Sequence, residues 1–184
     1  MSSRIFKTRV LTIAIIVMAS LSIQAQETGR TNQTDQSPMQ ALIGQSLAKV
    51  QESSPETFLN CIAEMKRIDA MFPDSIQPKY MIALQSLYFA VMNPHAEQTE
   101  SLLAETEQNI SRMEKMKGAD PSDICTLRGF LYMVRIVQDP AKNGQRYYLE
   151  VMQNYEKALK LNPDNQLAKQ LQEKFFEGMR EMGR

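Results

Sequence analysis

Tyr155-Glu156-Lys157-Ala158-Leu159-Lys160-Leu161-Asn162-Pro163-Asp164-Asn165 reads as a helix that runs into a stop. Tyr155, Ala158 and Leu159 share one helical face, and Asn162-Pro163 ends the run, because proline has no N–H to donate and restrains the residue before it. Counting back from the proline gives Val151, Tyr155, Ala158, Pro163. The same intervals of four, three and five residues return as Cys61, Met65, Ile68, Pro73 and as Asn109, Met113, Met116, Pro121. An acid follows each proline closely, at Asp74, Asp123 and Asp164. A helix ended in the same manner three times is an internal repeat, the pattern of chains that stack one supersecondary unit on the next.

Working outward, helical periodicity holds from Met39 to near the end, broken by Pro and Gly. A first helix is expected over Met39 to Glu52, and a second from Ser54-Pro55 to just before Pro73. A third follows Pro78, a fourth is capped by Asn93-Pro94 and closed by Lys117-Gly118, and a fifth runs from Asp120-Pro121 to Asp139-Pro140. The sixth follows Asn143-Gly144, and the seventh carries Leu167, Leu171, Phe175 and Met179, four residues apart. The third helix is apolar nearly all round, so it is either central to the domain or presents a sticky face. No window alternates apolar and polar residues as a strand would.

These residues resemble the tetratricopeptide repeat family, most closely at Tyr155, Ala158 and Pro163, where the family places an aromatic, a small residue and a proline in the second helix of a pair. The family's first helix carries a glycine followed three residues on by a large side chain. Gly129 with Tyr132, and Gly44 with Leu47, match that, while Ile82-Ala83 stands in its place in the middle pair. The departures are clear. The prolines at 73, 121 and 163 are 48 and 42 residues apart, whereas a family repeat is about 34 residues, and the chain has no Trp. The resemblance implies an all-α array of about three helix pairs with a C-terminal capping helix; a plain helical bundle is the alternative.

The amino terminus has its own logic. Arg4, Lys7 and Arg9 precede the apolar run Val10 to Ala19, and small residues lead to Ala25. That order reads as a secretory signal peptide; an uncleaved membrane anchor is the alternative, against which the apolar part is short of the length that spans a bilayer. Residues 1–25 are therefore expected to be removed, 26–38 to be a polar flexible lead, and 39–184 to be the repeat domain, exported to the periplasm or beyond with no stable membrane span. The full chain balances 21 basic against 21 acidic residues; without the leader it is mildly acidic, which offers no footprint for nucleic acid.

Chemistry is sparse. His95 is the only histidine and is expected in the first turn of a solvated helix, so neither a zinc site nor a Cys-His nucleophile pair is expected. Cys61 and Cys125 sit in apolar helical patterns of non-neighbouring pairs and read as buried thiols, a disulfide being the alternative in an oxidising compartment. The 13 methionines recur singly at core spacing. No cofactor, metal or catalytic residue is expected.

The family's concave face, lined by the first helix of each pair, implies a protein or peptide partner held by Tyr80, Leu84, Leu87, Tyr88, Thr126, Phe130 and Met133. The same residues would serve equally as core. Two other functions stay open: an anionic ligand bound by Arg128, Arg135 and Arg146 near Tyr132, Tyr147 and Tyr148, or a subunit of an envelope complex docked through the third helix.

Overall fold

Proline placement opens most of the helices. In the first turn a missing N–H is harmless, since no carbonyl of the helix waits for it. The computed structural model describes residues 37–51 and 54–182, with side chains to Arg180. Its helices are α1 (Pro38–Leu47), α2 (Pro55–Met71), α3 (Ile76–Met92), α4 (Thr99–Met113), α5 (Pro121–Gln138), α6 (Pro140–Leu161) and α7 (Gln166–Met182). No strand occurs among the described residues.

Each helix packs on the next in the chain, and contacts also join α3 to α5 and α5 to α7. This neighbour-to-neighbour stacking of helix pairs is that of a helical repeat array. α3 is the centre, with every residue from Met81 to Val91 buried and with α2, α4 and α5 around it. Tyr88 of α3 meets Phe130 of α5 edge-on, centroids 5.4 Å apart. The sticky-face alternative for this helix has no exposed apolar stripe to rest on.

The pair α5–α6 shows why a glycine and an aromatic recur in the pattern. A Cβ built on Gly129 would stand 2.7 Å from Cε1 of Tyr155, inside any tolerable contact, so the helices approach this closely only because Gly129 has no side chain. Ala158, fully buried, offers its carbonyl to the Ser122 hydroxyl at 2.9 Å. Asn165 locks the start of α7 onto this pair: its Oδ1 accepts from the Ala168 N–H at 3.0 Å, and its amide donates to Ser122 Oγ, Asp123 Oδ1 and Thr126 Oγ1.

Ion pairs add surface ties: Lys49 in the turn after α1 to Glu64 of α2, Lys66 of α2 to Glu105 of α4, and Arg128 and Arg135 of α5 to Glu114, just past α4, and Glu100 of α4. Lys79 is buried, its ammonium shared among Asp69 and the carbonyls of Pro73 and Ser75, which fixes the α2–α3 turn.

Several boundaries differ from those expected. α1 starts at Pro38, because Ser37 and Gln40 form a capping box, and it ends at Leu47 rather than Glu52. α3 starts two residues before Pro78, which its first turn tolerates. α4 starts at Thr99; Asn93 and Pro94 lie in a turn whose Asn93 carbonyl accepts from the Thr99 hydroxyl at 2.6 Å. α6 starts at Pro140 with Asp139 as its cap, so Asn143-Gly144 lies inside it, Asn143 donating to the Arg135 carbonyl at 2.7 Å. Gly118, at φ +90°, turns the chain between α4 and α5 in a conformation glycine suits. The signal segment, 1–25, and the lead up to residue 36 lie outside the described residues.

Candidate functional site

A cavity of about 340 Å³ opens where the amino-terminal end of α3 meets the α4–α5 turn and the start of α5. Three elements converge on it. Ile76 and Met81 of α3, Met113 at the end of α4 and Ile124 of α5 give it apolar walls, while Gln77, Tyr80, Asp120 and Asp123 supply the polar lining. The local sequence dictates this arrangement. Pro121 starts α5 at once after the Gly118 turn, which leaves Asp120 as its cap, accepting from the Ser122 N–H at 2.8 Å, and Asp123 in its first turn.

Electrostatically the site is acidic and uncompensated. Neither Asp120 nor Asp123 has a cationic partner among the described residues. Asp123 receives one hydrogen bond from Asn165 at 3.1 Å, yet burial first, and then the neighbouring charge of Asp120, push its carboxyl above the usual range. The Tyr80 phenol is driven well up by burial, then by Asp123 and Asp120. Both shifts describe a pocket in which further negative charge is unfavourable.

Two other hollows carry less. One of about 430 Å³ on α7 is lined by Lys169, Gln172, Glu173, Phe176 and Arg180, all on one helix and open to solvent. One of about 220 Å³ lies along α1 and α2 at Lys49, Glu64 and Arg67, where Lys49 and Glu64 already pair.

Of the seven side chains expected to hold a partner, Tyr80 alone is partly exposed. Leu84, Leu87, Tyr88, Thr126, Phe130 and Met133 are each at most 1% exposed. The cause is packing of α3 against α5: the face that would line a groove is spent on the neighbouring first helix, as the Tyr88–Phe130 contact illustrates. The repeat-motif residues divide likewise. Ile68, Gly129, Tyr155 and Ala158 are buried, Pro73 and Pro163 are exposed in turns, and Pro121 opens α5. Gly44 has nothing within 4 Å of a built Cβ, so no close approach requires it. Tyr132 stacks on Tyr147 at 5.4 Å rather than meeting Gly129.

The arginine cluster is occupied. Arg128 and Arg135 turn toward α4 and pair with Glu114 and Glu100 at 2.7 and 2.6 Å, and Arg146 lies over the Tyr147 ring at 5.0 Å. None of the three lines the cavities described above. Cys61 and Cys125 are free and buried, and burial raises both thiols. His95 is exposed in the α3–α4 turn, not in a helix. Among the described residues no group of three or more His, Cys, Asp or Glu is placed to hold a metal ion, and no helix is long and apolar enough to cross a membrane.

The sequence reading missed Asp120 and Asp123 as site residues, taking them only as helix-start and turn markers. Their spacing to Pro121 marks a helix start, and nothing in it tells that Tyr80 of another helix lies opposite. Fold and site together define the class: an all-α stack of helix pairs with an acidic, apolar-walled pocket between its second and third pairs. Compared with models of protein families, with curated proteins and with solved structures, the chain gives no significant match.

Proposed function

We propose that the protein is an exported, tetratricopeptide-like adaptor of the cell envelope that holds a segment of another protein at the pocket beside Tyr80, and that its role is binding rather than catalysis. The observation that carries this reading is the cavity between α3 and α5, the first helices of consecutive pairs, where Tyr80 is the one residue of the proposed groove left accessible. A partly exposed tyrosine on a rigid helix makes an economical anchor, giving contact area at small entropy cost and a hydroxyl for orientation. The repeat resemblance at Tyr155, Ala158 and Pro163, the Gly129–Tyr155 contact and the stacked helix pairs support the same architecture. The basic and apolar order of the first 25 residues supports export.

Affinity capture from a native envelope fraction tests it, with the wild-type chain compared with Tyr80→Ala. A protein retained by the wild type and lost with Tyr80→Ala is the expected result. Capture indifferent to Tyr80, or no specific capture, overturns the adaptor reading.

A further inference from the structure

Among the described residues, Glu64, Asp69, Glu100, Glu105 and Glu114 each meet a Lys or Arg of another helix or of the turn after α1. Asp120 and Asp123 do not, although they line a cavity and one of them is raised by burial and by the other's charge. A pocket that keeps two unpaired acids at the edge of apolar walls is built for the side chain that carries both characters. We propose that it receives a lysine or arginine side chain presented by an apolar segment of the partner protein. This rests on the adaptor reading and names the chemistry of its partner.

The alkyl stem of such a residue lies along Ile76, Met81, Met113 and Ile124, as long basic side chains do when they cover apolar surface. Its charged head reaches Asp120 and Asp123, with the Tyr80 and Gln77 side chains as further partners. A charge-assisted hydrogen bond to a carboxylate is about twice as strong as a neutral one and stronger still away from water. An anion is disfavoured: it would face both carboxylates, and the Ser122 N–H at the start of α5 is already taken by Asp120. A small inorganic cation would leave the apolar walls unused. A cavity of about 340 Å³ is at the small end of enclosed binding pockets, roomy enough for one long side chain and too small for a folded surface.

The test is a selection of displayed random peptides on the full chain, wild type against Asp120→Asn/Asp123→Asn. Both changes keep shape: Asn caps a helix as well as Asp, and its side-chain oxygen still accepts from Asn165. Lys or Arg flanked by apolar residues should be enriched on the wild type, and binding of the winning peptide should fall about tenfold or more on the variant, the loss of one charge-assisted hydrogen bond. On the wild-type chain, where no variant has to fold, n-hexylammonium should displace that peptide and hexanol should not. Peptides without basic preference, a preference that survives on the variant, or equal competition by hexanol overturn the basic pocket while leaving the adaptor reading to the Tyr80 capture. Failure to select any peptide overturns it as well.

Discussion

Replacing Gln85 with Met should stabilise the protein by about 1–3 kcal/mol, the cost of burying an amide without partners in mutational data. Gln85 lies in the middle of α3 with no exposure, and neither its Nε2 nor its Oε1 finds a hydrogen-bond partner. Met has nearly the same length and flexibility, fills the same volume without polar atoms, and has the same helix propensity, so backbone terms cancel and the amide's desolvation is what remains. For a domain of this size each kcal/mol raises Tm by roughly 2–4 °C. Denaturant titration followed by far-UV circular dichroism measures the gain, which should appear as a higher midpoint at unchanged slope. Gln108→Met, on the exposed face of α4, is the control and should shift stability by less than about 0.5 kcal/mol. A Met variant less stable than wild type refutes the argument, for it would mean that the amide is satisfied in solution. The unpartnered hydroxyl of Tyr88 follows the same reasoning, so Tyr88→Phe should not destabilise.

Gly129→Ala gains about 1 kcal/mol of helix propensity but drives its methyl into the Tyr155 ring at 2.7 Å, and overpacking of about 1–3 kcal/mol should win; in a Tyr155→Leu background thermal melts should show the Ala no longer harmful. Asn165→Ala removes the cap of α7 and the amide's two N–H donors, which are shared among three acceptors on α5, a loss of about 2–3 kcal/mol readable in the denaturant midpoint. Asp123 and Glu100 should give opposite pH profiles. Because the folded pKa of Asp123 is raised, its charge destabilises at neutral pH and the penalty fades as pH falls through that pKa, so Asp123→Asn should gain stability at neutral pH and none below the ordinary carboxylate range. Glu100 is lowered by its hydrogen bonds from Arg135 and then Gln138; its small contribution is present above the ordinary carboxylate range and is lost as pH falls through its folded pKa, so Glu100→Gln should be harmful only at neutral pH. Denaturant midpoints of both variants across pH read the two trends.

Much of the fold was legible because proline acts locally. Pro55 and Pro121 announce their helices, since the steric rule needs only the residue and its neighbours. Asn93-Pro94 and Asn143-Gly144 misled for the same reason: each is a good breaker in isolation, but Thr99 bonds back to Asn93 to delay α4, and Asp139 caps α6 before Asn143 is reached. The repeat pattern marks Gly129 and Tyr155 as motif positions, each in its own helix, but not that the two meet; their contact emerges only when α5 packs on α6. The pocket was not legible either, because it depends on how α3 and α5 register across pairs and on the turn at Gly118. α3 also defeats period counting: with apolar residues on all sides, its sequence cannot say which face is core and which is groove, and packing on α5 took nearly all of it.

Asp139 both ends α5 and caps α6, so the two most extensively packed helices are joined with no loop between them. In kinetic terms there is almost no chain entropy to lose in bringing them together, since closure cost grows with the length of the connection. The stretch from Pro121 to Leu161 is thus placed to collapse first and to serve as the template on which earlier and later helices add, in the manner of neighbour-coupled arrays. Pulse-labelled amide exchange during refolding should find α5 and α6 protected before α2 and α3.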